Sequence, residues 1–176
     1  MGGPSRGPVK RVAGQGVDPT RKVGYREDTI MDGSRRGGNG FTHLGNGCPM
    51  TMHRHDNVVQ RVLSQSDRLW ISFIADGAHI PFPALGNYLR CVGLERSVIV
   101  TDAISAAGLG PGTYTIGSQK VTIGEDLVPW ADDRTHFVGS ATVMPRVEQN
   151  LREVIGLSPA DVRRLTYENP RQLLGI

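Results

Sequence analysis

Polar side chains follow three short apolar runs, at positions where parallel α/β proteins place their chemistry. His43 follows one such run, Asp76 and His79 follow a second, and Asp102 follows the β-branched run at 98–100. The carboxyl ends of parallel strands meet at one edge of a sheet or at the mouth of a barrel, where ligands bind. Each residue alone also suits a helix cap or a structural histidine, but together they predict a ligand site.

A second group of polar residues lies between the first two runs, in the stretch HRHD at 53–56. Alternating histidines on a strand could bind a metal ion. The cap-like residues that follow indicate a loop instead, in which Arg54 beside histidines favours an anion. Backbone N–H groups at Asn46 and Gly47 are also of the kind that bind phosphate. These residues and His79 therefore form a candidate anion site.

The elements that must position these residues alternate between strand and helix. A short strand end at FTHL precedes a helix in DNVVQRVLSQSD, with its cap at Asp56 or Asn57. The continuous apolar run RLWISFIADG is typical of a strand buried on both faces of a parallel sheet. A covering helix over 82–94 and a second buried strand in SVIVTDA complete a βα pattern.

The remaining residues predict a hairpin excursion followed by helices. Apolar and polar residues alternate between 112 and 141 and are interrupted by glycine turns, which indicates the hairpin. An amphipathic helix in MPRVEQNLREVIG would bury Val147, Leu151, Val154 and Ile155. A further helix begins at SPAD, with Ser158 as its N-cap.

Residues 1–40 differ in composition from the rest of the chain. They contain ten of the 23 glycines and eight Lys and Arg against four Asp and Glu, and they have no sustained hydrophobic period. We therefore predict a disordered Gly/Arg-rich segment over 1–40 and a folded domain over 41–176. The alternative is a basic arm for nucleic acid, but its charges are scattered. No secretory or membrane segment is evident, so we expect a cytoplasmic protein.

The motifs FTHLGNGCP, FIADGAHIP, VIVTDAISAAGLGPGTY and YENPRQLLGI occur in the order found in N-acetylglucosamine-6-phosphate deacetylases of the amidohydrolase superfamily. The resemblance covers 41–176 and only the C-terminal portion of the family. It implies part of a (β/α)8 TIM barrel, about strands six to eight. It also implies a divalent metal, usually zinc, hydrolysis of the acetamide of N-acetylglucosamine 6-phosphate, and a homodimer.

The resemblance also implies roles for individual residues. His43 resembles a metal ligand at the end of barrel strand six, and Asp102 resembles the catalytic carboxylate at the end of strand eight. Residues that hold the sugar phosphate or line the acetamide pocket are matched by Asn46, Gly47, Arg54, His79 and Val138. Metal-bound water has a pKa near 7, and a strand-end carboxylate in reach could take its proton.

The sequence departs from the family in its metal ligands. The family uses an acidic ligand and a further histidine from strands that precede the one bearing His43. Upstream of His43 there is no histidine, and Glu27 is the only glutamate. We therefore expect a truncated chain with an incomplete metal site and no deacetylase activity by itself. The alternative is a non-catalytic sugar-phosphate-binding fragment or an unfolded remnant.

Overall fold

The computed structural model describes residues 40–176, in which a parallel sheet and an antiparallel sheet are accompanied by helices. The predicted segment 1–40 therefore lies outside the described residues except for Gly40, which begins the first strand. Among the described residues, no helix has the length and apolar character needed to cross a bilayer.

The parallel sheet is formed by β1 (Gly40–Phe41), β2 (Trp70–Ile74) and β3 (Ser97–Val100), in that spatial order. All five residues of β2 are buried, which confirms the prediction of a strand covered on both faces. The strands pair in parallel, with Phe41 opposite Ile71 and Ile74 opposite Val100. Their carboxyl ends consequently lie at the same edge, and the sheet of described residues is not closed.

Two helices connect these strands, as the spacing predicts. Helix α1 (Val58–Leu63) begins after Asn57, whose side chain accepts a hydrogen bond from the Gln60 amide. Helix α2 (Phe82–Val92) follows β2, and a short 3₁₀ turn at Leu94–Arg96 leads into β3.

The antiparallel sheet contains β4 (Gly112–Ile116), β5 (Gln119–Ile123) and β6 (Pro129–Ala131). The predicted hairpin is thus present, and a third strand extends it. A single parallel bridge, between Ala103 and Ser140, returns the chain from this excursion to the end of β3.

Three α-helices and a π-helical turn complete the described part of the chain. Helix α3 (Met144–Glu153) is followed by α4 (Pro159–Arg163), a π-helical turn at Arg164–Glu168 and α5 (Asn169–Leu174). Ser158 caps α4 by accepting a hydrogen bond from the Asp161 amide, as predicted. The Asn169 side chain donates to the carbonyls of Leu94 and Ser97, which fixes the final helices against the start of β3.

The main core lies between the parallel sheet and its helices and includes Phe73, Leu85, Val147 and Leu151. The prediction that Val154 is buried with them was wrong, because its side chain is 55% exposed. Val154 is the C-cap residue of α3 and keeps a helical conformation, so its exposure reflects its place at the end of the helix.

Candidate active site

The predicted site residues His43, His79 and Asp102 all follow strands of the parallel sheet and lie at its carboxyl edge. His43 and Asp102 share an unusual backbone conformation, since their φ angles are 54° and 51°. Left-handed backbone is uncommon for residues other than glycine, although histidine and aspartate tolerate it better than most. Both residues therefore take a left-handed backbone conformation directly after their strands.

The conformation of His43 is held by the neighbouring strand. Its backbone N–H donates to the Ser72 hydroxyl at 2.9 Å, and the Leu44 amide donates to the Ser72 carbonyl at 3.0 Å. Ser72 is buried in β2. The sequence motifs did not single out this residue, although a small polar residue inside an apolar strand was an available signal.

The loop after His43 carries the predicted phosphate-binding pair Asn46 and Gly47. The Asn46 amide donates to the His43 carbonyl, so the pair belongs to the same turn as His43. Both residues are exposed. Next to them, burial raises the pKa of the Cys48 thiol despite an opposing hydrogen bond with the Gly45 backbone, and it also raises the pKa of Tyr88. The thiol beside this turn is thus neutral near pH ~7.

Asp76 is the most connected carboxylate at the edge of the sheet. Its Oδ1 accepts hydrogen bonds from the amides of Ala78 and His79, both at 3.0 Å. Its Oδ2 lies 2.7 Å from Nδ1 of His79 and accepts a hydrogen bond from the Ser140 hydroxyl at 2.9 Å. Burial by itself would raise the pKa of Asp76, but the hydrogen bonds from His79 and Ser140 lower it below its ordinary value.

An aromatic residue that follows the antiparallel sheet covers the His79 ring. Phe137 packs edge-on against it with ring centroids 5.3 Å apart, and Trp130 packs against Phe137 at 4.5 Å. The side chain of His79 is consequently only 2% exposed. The excursion therefore contributes to the site by covering this histidine.

Asp102 is joined to the turn at 138–140 through its backbone. The Ser140 amide donates to the Asp102 carbonyl, and the Ile104 amide donates to the Ser140 carbonyl, both at 2.9 Å. A Cβ added at Gly139 would lie 2.8 Å from the Asp102 carbonyl oxygen. The predicted pocket residue Val138 is thus in a turn that packs directly against Asp102.

A buried side chain on α3 supports the same edge of the sheet. The Asn150 amide donates to the Ala75 carbonyl at 3.1 Å, immediately before Asp76. Asn150 was not predicted from the sequence as a site residue. Its position beside Val147 and Leu151 on an apolar helix face was a signal that could have found it.

Arg54 lies apart from the other candidate residues. It is exposed in the segment before α1, and within residues 40–176 its guanidinium has no ion-pair partner. No described contact joins it to Asn46, Gly47 or His79. His53, which the histidine pattern singled out, accepts a hydrogen bond from the Asp56 amide and so stabilises the loop before α1.

The donor set among the described residues does not fit a metal ion. No three His, Cys, Asp or Glu side chains converge there, so His43 has no pair of companion ligands within 40–176. What the described residues bring together is Asp76, His79 and Ser140, in backbone contact with Asp102.

Comparisons with known proteins relate the chain to sugar-phosphate deacetylases. No family model matches it. It is 31% identical over 140 residues to an N-acetylgalactosamine-6-phosphate deacetylase of Escherichia coli O157:H7, with 80% of this chain and 36% of that protein covered. It is also 31% identical over 134 residues to a protein of Escherichia coli (strain K12) named "Putative N-acetylgalactosamine-6-phosphate deacetylase", covering 76% of this chain and 78% of that relative.

N-acetylglucosamine-6-phosphate deacetylases are matched as well. The Bacillus subtilis enzyme is 30% identical over 147 residues, which are 84% of this chain and 36% of that protein. The crystal structure of the Thermotoga maritima enzyme superposes with a TM-score of 0.75 at 29% identity, covering 85% of this chain and 40% of that chain. The chain thus spans about 36% of the length of its larger relatives.

These findings confirm the resemblance that the sequence motifs predict. The relatives are hydrolases, and the match lies in their C-terminal portion. The chain therefore belongs to the N-acetylglucosamine-6-phosphate deacetylase family.

Proposed function

We propose that this chain provides the C-terminal part of an active site that hydrolyses N-acetylglucosamine 6-phosphate to glucosamine 6-phosphate and acetate. The observation that carries the proposal is the placement of His43, His79 and Asp102 after three adjacent parallel strands. In a chain of this family, those strands correspond to about strands six to eight of a (β/α)8 barrel. Active sites of such barrels are built at the carboxyl ends of the strands.

Asp102 would handle the proton in this reaction. A water oxygen attacks the acetamide carbonyl carbon, and its proton passes to the carboxylate. The same carboxyl group then protonates the sugar nitrogen as the C–N bond breaks, which releases acetate and the free amine. The backbone contacts of Asp102 with Ser140 support this role, because they fix the carboxylate-bearing turn.

The sugar phosphate would be held by backbone and side-chain donors. Asn46 and Gly47 offer N–H groups from an exposed turn, and His79 offers a ring nitrogen beside them along the sheet edge. The exposed guanidinium of Arg54 is free of ion pairs within the described residues and suits bidentate contact with phosphate. Because no described contact joins Arg54 to the other donors, we infer that a second subunit of a homodimer completes the site.

The metal of the family needs ligands that the described residues do not supply. His43 would be one ligand, and the others would come from residues outside 40–176 or from a second chain. Within 40–176, the residues that would act directly on the substrate are therefore Asp102 and the phosphate-binding group.

The test is acetate release from N-acetylglucosamine 6-phosphate by the purified chain, measured together with its zinc content. N-acetylgalactosamine 6-phosphate is the second substrate, because relatives are named for either sugar. Release would require metal ligands beyond those within 40–176, and it should be abolished by D102N and retained by the exposed-site variant D133N. Release that persists in D102N would refute the catalytic assignment.

A second candidate is a sugar-phosphate-binding protein without hydrolysis. Binding without hydrolysis is favoured because the described residues contain only one candidate metal ligand, His43. Calorimetry with glucosamine 6-phosphate distinguishes the two functions. Binding that H79A weakens, with no acetate release from the unaltered chain, would support binding alone. Absence of both binding and release would contradict both candidates.

A further inference from the structure

Asp76 links two segments that are far apart in sequence. Its carboxylate contacts His79 in the loop after β2 and Ser140, which lies 64 residues further along the chain. The Asp76 side chain is only 4% exposed, so water contributes little to its solvation. All the partners that stabilise its charge are therefore protein groups from these two segments.

The hydrogen bonds of Asp76 also determine which atoms of His79 remain available. Two backbone amides occupy Oδ1, and Oδ2 faces Nδ1 of His79. An ionised carboxylate only accepts hydrogen bonds, so Nδ1 must carry a proton in either charge state of the ring. Nε2 is then the only ring nitrogen left for a ligand. It donates to phosphate when the ring is protonated.

Ser140 extends this link to Asp102. Its hydroxyl donates to Asp76 Oδ2 and accepts from the Thr142 amide, while its backbone N–H donates to the Asp102 carbonyl. The side chain of Ser140 therefore contacts the histidine-bearing loop, and its backbone contacts the turn with the candidate catalytic carboxylate. Ser140 itself is fully buried.

We propose that Asp76 is a positioning residue that fixes His79 with Nε2 toward the ligand and, through Ser140, holds the Asp102 turn in place. The proposal rests on the proposed function in that His79 is assigned to the sugar phosphate. It adds a residue that touches neither substrate nor metal. Asp76 acts on the phosphate-binding end and on the proton-transfer end of the site together.

The first test is the imidazole ¹⁵N spectrum of His79 in the full chain, assigned with H79Q. We expect a protonated Nδ1 in the unaltered protein. In D76N the backbone N–H groups of Ala78 and His79 still donate to the side-chain oxygen at position 76. The side-chain –NH₂ group therefore faces Nδ1 of His79, and Nδ1 must accept a hydrogen bond from it. The neutral ring should then carry its proton on Nε2. Nε2–H in the unaltered protein, or an unchanged tautomer in folded D76N, would overturn the proposal.

The control is D133N. Asp133 also accepts a backbone hydrogen bond in a turn and precedes a histidine, but it is exposed and interacts with His136 only at longer range and through the Thr135 hydroxyl within the described residues. D133N should leave the His79 spectrum unchanged. If D133N shifted the His79 tautomer as D76N does, the effect would not belong to Asp76 and the proposal would fail.

A second variant tests the link to Asp102 without altering the charge of the site. S140A removes the hydroxyl and keeps the backbone bond to Asp102. We expect His79 to retain the Nδ1 proton while the amide resonances of 101–104 shift. Unchanged amide resonances at 101–104 in S140A would overturn this part of the proposal. This test does not depend on whether D76N folds.

Ligand binding separates this proposal from the proposed function. We expect D76N to weaken the binding of glucosamine 6-phosphate about tenfold, since a charge-assisted hydrogen bond is replaced by a neutral one. If the unaltered chain does not bind this sugar phosphate, the proposed function fails. The tautomer of His79 would still decide the role of Asp76, because that measurement requires no ligand.

Discussion

Every residue of β2 in the parallel sheet is buried, whereas in β4 of the antiparallel sheet half-buried and exposed residues alternate. The first sheet is enclosed by helices on a large apolar core. The second packs on a small cluster formed around Ala106, Ile123 and Ala141. Stability and ligand chemistry are both concentrated in the first sheet, since the candidate residues follow its strands.

The two sheets meet at the site itself. Phe137 from the excursion covers His79, and Ser140 at its end contacts both Asp76 and Asp102. The difference between the sheets indicates a rigid base that carries the chemistry and a less buried cover that encloses it. Substitutions of the same type in the two regions should therefore have unequal effects.

The largest difference is expected from I71A compared with I116A, the same substitution in a strand of each sheet. Ile71 is completely buried in the main core, whereas Ile116 is partly buried against the small cluster. I71A should lower the free energy of unfolding by about 2–5 kcal/mol. I116A should lower it by about 1 kcal/mol. Denaturant titration measures both, and equal losses would show that the sheets are equally important for stability.

Two glycines have similar backbone conformations but differ in the space available for an added side chain. Gly139 beside Asp102 and Gly117 in the β4–β5 turn have φ angles of 57° and 60°. A Cβ at Gly139 would lie 2.8 Å from both the Asp102 carbonyl oxygen and Cγ2 of Ile104, while at Gly117 it would meet nothing within 4 Å.

G117A should therefore cost about 1 kcal/mol from backbone strain alone. G139A should cost about 1–3 kcal/mol more, because the added methyl group forces the Asp102 turn to move. Thermal unfolding gives the energies, and amide resonances of 101–104 report the movement. A G139A protein with unchanged resonances there would contradict the close packing of this turn.

A smaller effect is expected where the helical layer supports the parallel sheet. N150A removes the buried donor to the Ala75 carbonyl and should destabilise the protein by about 1–3 kcal/mol. Q149A is the matched control, since within 40–176 the Gln149 side chain hydrogen-bonds only to the side chains of Arg146 and Glu153. It should change the stability by less than about 0.5 kcal/mol. Similar losses from the two variants would exclude a special role for the buried amide.

Local sequence signals predicted the elements of the first sheet well. The apolar run around β2, the cap at Asn57 and the cap at Ser158 each depend on residues within a few positions, and the structure confirms them. The third strand of the excursion was not predicted, because Pro129–Ala131 is too short to show alternation.

The contacts that organise the site depend on distant residues and could not be inferred from spacing. Asp76 and Ser140 are brought together only by the folded path of the chain, as are Asn150 and Ala75. The positions of His43 and Asp102 after apolar runs identified them as candidates, motif resemblance supplied their roles, and those roles stay predictions. Their shared left-handed backbone was not anticipated, since it arises from the turns that follow β1 and β3.

The smallest effect is expected from the ionisation of single carboxylates, one in each region. Burial opposes the charge of Asp76, but hydrogen bonds from His79 and Ser140 lower its pKa below the ordinary 3.8. Hydrogen bonds from Thr135 likewise lower the pKa of the exposed Asp133 in the excursion. A carboxylate with a lowered pKa stabilises the fold above its unfolded pKa, and this stability is lost as the pH falls through the folded pKa.

The free energy of unfolding should therefore decrease as the pH falls below about 4 in the unaltered protein, and it should decrease less in D76N. D133N should retain nearly the full decrease, because solvent screens an exposed carboxylate. Urea titrations at several pH values in this range measure the three slopes. If the free energy of unfolding depended on pH as weakly in D133N as in D76N, the two carboxylates would contribute equally to stability. The difference between the two sheets would then not apply to these charged groups.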